Sequence, residues 1–147
     1  MTALKDHAIA WLKEMQAAGR GGRVDALFAY LKAQGKDGDD PSVSPLEHAL
    51  QTADLAQRES QQPHLVVASL LHDIGHLMLD QHGESMDQDW GHETVAAEAL
   101  SAFFPASVTA PIQHHVAAND CSVLSILPTT SSCRMFQSAA LLLREGI

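Results

Sequence analysis

The sequence contains nine histidines in 147 residues, and one of them forms a His-Asp pair. His72 and Asp73 are adjacent, and His76 follows His72 by four positions. Positions i and i+4 share one face of a helix, so we expect His72 and His76 to point into the same cavity. Imidazole and carboxylate groups bind transition metals, and a carboxylate can bridge two ions. Adjacent His and Asp side chains reach one centre only from a frayed or distorted helix end, which we therefore expect here.

Three further histidines extend this pair into a regular series. His48, His72, His92 and His115 are separated by 24, 20 and 23 residues, which is the length of one helix plus one turn. A helical bundle brings side chains at such intervals to a common level, as in known metal sites of bundles. One ion takes about four to six ligands, so four imidazoles and the Asp73 carboxylate predict two ions.

The elements that must position these side chains are all predicted to be helices. The apolar periodicity predicts helices over residues 3–18, 24–34, 45–58, 63–73, 92–103 and 108–118. Ser44 and Glu47 form a capping-box pattern at the start of the third helix, and Phe28 and Leu50 are among the apolar positions expected to face the core. No alternating, strand-like run precedes residue 120, so the predicted fold class is all-α.

Composition excludes several classes of function. The formal net charge is −9 and the sequence has no basic stripe, so we expect no nucleic-acid partner. No apolar run approaches the length of a membrane span, and no signal-peptide core is visible near the start. With only Cys121 and Cys133, no disulfide framework is implied and a cytoplasmic setting is favoured. The acidic excess opposes anionic substrates unless bound metal ions invert the local field.

Four short segments together resemble a known family. They are Leu46-Glu47-His48-Ala49-Leu50-Gln51-Thr52-Ala53, Leu71-His72-Asp73-Ile74-Gly75-His76, Gly91-His92-Glu93 and His115-Val116-Ala117-Ala118. The first two resemble the HD-domain superfamily, and all four resemble its mixed-valence di-iron oxygenases, relatives of myo-inositol oxygenase that include organophosphonate-oxygenating enzymes. The resemblance covers about residues 24–118 and implies an HD-domain helical bundle.

The resemblance also implies a role for each residue of the series. His48, His72 and Asp73 would hold one iron ion, and Asp73 would bridge to a second iron ion held by His92 and His115. His76 matches a catalytic-site position that contacts the anionic head of the substrate. The implied cofactor is a pair of iron ions and the implied partner is a small, anionic molecule.

Two other functions stay open from the sequence. The first is a metal-dependent phosphohydrolase that uses Mg²⁺ or Mn²⁺, in which a bound ion activates water and polarises a phosphoryl group. Simple HD hydrolases need the first His, the His-Asp pair and a distal Asp, so the additional His92 and His115 favour the oxygenase. The second is an inactive or regulatory HD module.

The sequence departs from the oxygenase branch in two places. Residues 38–41 lack the Tyr-x-Gly-Glu loop of many members, and residues 119–147 lack the family's distal Asp and basic substrate contacts. Back-translation of residues 119–146, read two nucleotides out of frame, yields a family-like segment, so we expect a reading-frame shift near residues 118–119. We therefore predict a metal-binding bundle over 1–118 and an aberrant tail over 119–147, with impaired activity. The tail's apolar residues 139–143 are expected to dock on bare core surface or to form a swapped homodimer.

Overall fold

The protein folds as a bundle of helices. A computed structural model describes residues 4–36, 42–59, 62–79 and 91–119. These residues form α1 (Asp6–Ala17), α2 (Arg20–Gln34), α3 (Pro45–Glu59), α4 (Pro63–Leu71), α5 (Ile74–Met78), α6 (His92–Leu100) and α7 (Ala106–Asn119). Within these ranges the β pairing is one isolated antiparallel bridge between Leu4 and Leu79. The predicted all-α fold is confirmed.

Helix α4 lies at the centre of the bundle. It packs against α3 and α7, while α6 packs against α7 and α5. Helices α1 and α2 pack on each other, and α1 touches α5. The sequence of α4 is apolar along almost its whole length, so it is stable only when several neighbours cover it. Full burial of a side chain such as Leu71 contributes about 1.5–3 kcal/mol.

The start of α3 is fixed by the predicted capping box. The backbone N–H of Ser44 donates to Glu47 Oε2 at 2.9 Å, and the backbone N–H of Glu47 donates to Ser44 Oγ at 3.2 Å. Pro45 takes the first helical position, where its missing N–H costs no hydrogen bond. This cap sets the rotation of α3 and places His48 in its first turn.

Several helix boundaries differ from the sequence prediction, and two of the differences have a clear cause. Helix α2 begins at Arg20 rather than Val24, because Gly21 and Gly22 lie in its first turn instead of in the connection. The first N–H groups of a helix have no partner inside it, so glycines there weaken it less than in its interior. Helix α6 ends at Leu100, and the predicted continuation to Phe103 is a turn that leads into α7.

Two apolar side chains expected in the core are exposed. Phe28 keeps 39% of its accessible surface and Leu50 keeps 48%. The core-facing stripe of α2 is narrower than the periodicity suggests, since Leu27 and Leu31 are buried while Phe28 lies at its margin. Single exposed apolar side chains are common on folded proteins.

Some predictions concern residues that the structure does not describe. Residues 38–41, which lack the Tyr-x-Gly-Glu loop, and residues 120–147 of the predicted tail lie outside the described residues. The boundary near residue 118 and the homodimer therefore stay predictions. Among the described helices, none is long and apolar enough to cross a membrane.

Candidate metal centre

The helix breaks at the His-Asp pair. Helix α4 ends at Leu71, His72 and Asp73 form a turn, and α5 begins at Ile74. The backbone angles of Asp73, φ −98° and ψ 7°, lie outside the helical region, which is the distorted helix end expected from the sequence. His72 and His76 therefore do not share one continuous helix, contrary to the i, i+4 argument.

This break turns the Asp73 carboxylate toward four imidazoles. Its Oδ2 atom lies 3.0 Å from Nε2 of His72 and 3.2 Å from Nε2 of His48. Its Oδ1 atom lies 3.3 Å from Nε2 of His115 and 3.7 Å from Nε2 of His92. Each carboxylate oxygen therefore faces its own pair of histidines.

The two histidine pairs have the spacing of metal ligands. The Nε2 atoms of His48 and His72 are 3.1 Å apart, and those of His92 and His115 are 3.2 Å apart. Bonds of about 2.1 Å to one ion set neighbouring donors about 3 Å apart in an octahedron. In each set, formed by two histidines and Asp73, the donor atoms lie within 4.8 Å of one another. Each set could therefore hold a metal ion, with Asp73 common to both sets.

Backbone carbonyls orient two of the four rings. Nδ1 of His72 lies 2.8 Å from the carbonyl oxygen of Ser69, and Nδ1 of His115 lies 2.7 Å from that of Ile112. A carbonyl only accepts, so Nδ1 carries the proton and Nε2 presents its lone pair to the centre. A nitrogen lone pair and a carboxylate oxygen repel each other at this distance. A cation, either a proton or a metal ion, must therefore lie between them.

The charge of the centre is set by Asp73. Burial would raise the pKa of its carboxyl, but hydrogen bonds with His115, His48 and His72 outweigh burial and hold that pKa well below its usual range. Burial lowers the pKa of His115, but the hydrogen bonds with Asp73 and the Ile112 carbonyl and the charges of Asp73 and Glu93 together raise it by more, so the net change in its pKa is upward. The carboxylate is therefore ionised, which is the form that binds metal ions.

His76 lies beside the centre rather than within either set. Its ring stacks on that of His92, with 3.7 Å between ring centroids and 24° between planes. The residue as a whole is exposed. His76 thus lies next to the centre and in contact with solvent.

Two glycines allow the backbone to bring His92 into place. Gly91 has a φ of +63°, a left-handed conformation in which side chains are strained, and α6 begins at the next residue. A Cβ atom at Gly75 would lie 2.1 Å from the carbonyl oxygen of His92. Only glycine therefore lets α5 approach α6 this closely.

The structure brings together the five residues predicted as metal ligands. Sequence reasoning missed two residues that support them: Gly75, and Glu93, whose Oε2 lies 3.5 Å from Nδ1 of His92. Both lie inside the segments that carried the family resemblance, so the signal was present. Their roles depend on contacts across space that spacing alone does not reveal.

Comparison with known proteins agrees with this site. Residues 46–121, more than half of the chain, match the HD domain family. The chain therefore belongs to the HD-domain family, which confirms the resemblance noted from the sequence.

Two curated relatives are similar to this chain. One is named hydroxymethylphosphonate dioxygenase, from Gimesia maris, and is 45% identical over 108 residues, which cover 70% of this chain and 54% of the relative. The other is named [1-hydroxy-2-(trimethylamino)ethyl]phosphonate dioxygenase (glycine-betaine-forming), from Leisingera caerulea. It is 42% identical over 78 residues, which cover 52% of this chain and 40% of the relative. The chain spans about half the length of these relatives or less.

Proposed function

We propose that this chain binds two iron ions and supports oxidation of a small phosphonate. The observation that carries the proposal is the division of the Asp73 carboxylate between two histidine pairs. Each set then contains two imidazoles and one carboxylate oxygen, the composition found in iron(II) oxygenases. His48, His72 and Asp73 are the proposed ligands of one ion, and Asp73, His92 and His115 those of the other.

The substrate class rests on the two relatives. Both are named as dioxygenases of phosphonates that carry a hydroxyl group. A phosphonate is anionic, whereas the chain carries a formal charge of −9, so binding requires local positive charge. Two bound cations would supply it, and the exposed edge of the His76 ring would offer an N–H donor to a phosphonate oxygen.

In such a reaction the protein holds the metal ions and orients the substrate. Asp73 would be an ionised ligand of both ions, while the hydrogen bonds from His72 and His115 to backbone carbonyls keep the Nε2 lone pair of each ring available. Iron, when bound, supplies the activation of O₂ and the oxidation of the substrate. We propose that His76 positions the substrate by contact with its anionic head.

The test is uptake of O₂ by the iron-loaded protein with hydroxymethylphosphonate as the probe. Uptake is expected to require both iron and the phosphonate and to be absent in Asp73→Asn, which loses the ligand shared by both ions. His114→Ala is the matched control, because His114 is an exposed neighbour of His115 on α7. Slow turnover is expected, so the comparison with Asp73→Asn decides the outcome.

A phosphohydrolase is the alternative that the same experiment separates. It would release phosphate from a phosphomonoester or a nucleotide with Mg²⁺ or Mn²⁺ and would need no oxygen. Robust anaerobic release of phosphate with Mg²⁺, together with no phosphonate-dependent O₂ uptake, would reverse the proposal.

A further inference from the structure

All four imidazoles of the centre present Nε2 inward. For His72 and His115 the Nδ1 partner is the carbonyl oxygen three residues earlier, on Ser69 of α4 and Ile112 of α7. In both cases the helix itself supplies the acceptor. The backbone thus fixes the ring and its tautomer without help from another side chain.

His92 stands in a different position. It is the first residue of α6. The residue next to it, Glu93, places Oε2 at 3.5 Å from His92 Nδ1. The Glu93 side chain keeps only 14% of its accessible surface.

The Oε2 atom of Glu93 lacks a hydrogen-bond donor among the described residues. Oε2 is fully buried and makes no hydrogen bond of ordinary geometry within the described residues. Burying a carboxylate oxygen without a donor is costly, so its position beside an N–H group requires an explanation. A small movement of either side chain would make a hydrogen bond from Nδ1–H of His92 to Oε2.

We propose that Glu93 is a positioning residue for the second ion, accepting a hydrogen bond from Nδ1 of His92 so that Nε2 faces Asp73 and the ion. This inference rests on the metal-binding part of the proposed function. The role of Glu93 toward His92 is the one that the carbonyls of Ser69 and Ile112 have toward His72 and His115. It touches neither the ion nor the substrate.

The first experiment measures metal affinity. Metal-free protein is titrated with Fe²⁺ under anaerobic conditions, and the two binding steps are followed by calorimetry. Glu93→Met removes the acceptor while keeping the length of the side chain, and is expected to weaken one step about 10–100-fold. Glu93→Gln retains an acceptor oxygen and is expected to recover much of the affinity.

Glu98→Met is the matched control, since Glu98 is an exposed glutamate on the same helix. It is expected to bind both ions as the parent protein does. Two full-affinity steps in Glu93→Met would overturn the inference. Equal weakening in Glu93→Met and Glu98→Met would also overturn it, because the effect would then belong to α6 as a whole.

The second experiment reads the tautomer directly and needs no metal. Nitrogen-15 NMR of histidine-labelled, metal-free protein at about pH 8, above the usual His pKa, distinguishes a proton on Nδ1 from one on Nε2. We expect His92 to change its tautomer in Glu93→Met, while His72 and His115 keep theirs. An unchanged His92 refutes the role of Glu93 even if the parent protein binds iron, whereas failure of the parent to bind iron refutes the proposed function instead.

Discussion

At the scale of single residues, Asp73 differs from the other members of the centre because it belongs to both sets. Each histidine faces one oxygen of the carboxylate, whereas the carboxylate faces all four histidines. Its ionisation is maintained against burial by three of those rings, His115, His48 and His72, which hold its pKa well below the usual range. The two sets are therefore coupled through one side chain.

This coupling predicts that Asp73→Asn and His48→Ala differ in the number of ions lost. Asp73→Asn removes the negative charge from both sets, so both ions are expected to bind at least about 10–100-fold more weakly. His48→Ala removes one ligand from the set with His72 and is expected to weaken one ion. Elemental analysis after equilibration with limiting iron measures the stoichiometry. Equal losses in the two variants would contradict the shared-ligand arrangement.

The clustering of the proposed ligands was predictable from the sequence, while the residues that support them were not. Spacing of one helix plus one turn was enough to select His48, His72, His92 and His115, because a bundle repeats at that interval. The division of the two Asp73 oxygens required the backbone angles at the α4–α5 break. Gly75 acts by having no side chain, and Glu93 acts through the ring of another residue, so neither has a periodic signature.

At the scale of elements, α5 and α6 pack too closely to accept a side chain at residue 75. A Cβ atom at residue 75 would lie 2.1 Å from the carbonyl oxygen and 2.7 Å from the carbonyl carbon of His92. These are backbone atoms, which cannot swing aside as a flexible side chain does. The position of a metal ligand is thus set by the absence of a side chain on the neighbouring helix.

Gly75→Ala is expected to destabilise the protein and to displace His92. Overpacking of this kind costs about 1–3 kcal/mol, and iron binding to the set with His115 should weaken while the set with His48 is less affected. Denaturant unfolding and iron stoichiometry measure the two effects. Gly21→Ala is the matched control, because nothing lies within 4 Å of its new Cβ atom and α2 gains a better helix former.

The cap of α3 gives a second prediction for an element. Ser44→Ala removes a side chain that accepts from Glu47 N–H and is expected to lower the free energy of unfolding by about 1 kcal/mol. Ser107→Ala, at an exposed site in the first turn of α7, is the control. A cost no larger than the control's would mean that tertiary contacts alone fix the start of α3.

The cost of Ser44→Ala is also expected to depend on pH. Hydrogen bonds from the Ser44 backbone and hydroxyl lower the pKa of Glu47 below its ordinary value of 4.5. A carboxyl with a lowered folded-state pKa stabilises the protein above its unfolded pKa, and this contribution is lost as the pH falls through the folded value. The difference between the parent protein and Ser44→Ala should therefore be larger at about pH 7 than at about pH 3.5. Unfolding curves at both pH values measure it.

The elements were more predictable where capping residues accompany the apolar pattern. Ser44, Pro45 and Glu47 gave the start of α3 correctly. The start of α2 was predicted four residues late, because Gly21 and Gly22 have the composition of a connection but lie in a helix. The burial of Phe28 was also predicted wrongly, since periodicity does not show how wide a face the neighbouring helices cover.

At the scale of the whole molecule, the proposed reading-frame shift after residue 118 stays a prediction with a direct test. The family match extends to residue 121, while residues 120–147 lie outside the described part of the chain. Sequencing the gene across codons 115–125 tests the prediction. If restoring one base opens no longer frame with a further Asp-bearing helix, the frame-shift explanation is wrong.

The ligand set divides the described helices into two groups. His48 lies on α3, His72 and Asp73 lie between α4 and α5, His92 begins α6 and His115 lies on α7. Helices α1 and α2 supply none of these ligands. They are nevertheless joined to α5, because Lys5 N–H donates to the carbonyl oxygen of Met78 at 2.8 Å.

Iron binding is therefore expected to stabilise the protein unevenly. A ligand that binds only the folded state adds RT ln(1 + [L]/Kd), or about 2.7 kcal/mol per site at a concentration of 100 Kd. Hydrogen exchange with and without iron should show the strongest added protection in the first turn of α3, the α4–α5 turn, the start of α6 and the middle of α7. Helices α1 and α2 should change less, because they carry none of the proposed ligands. A uniform gain across all seven helices would show instead that the described bundle opens as one cooperative unit, and no gain after iron loading would mean that these ligands do not bind iron together.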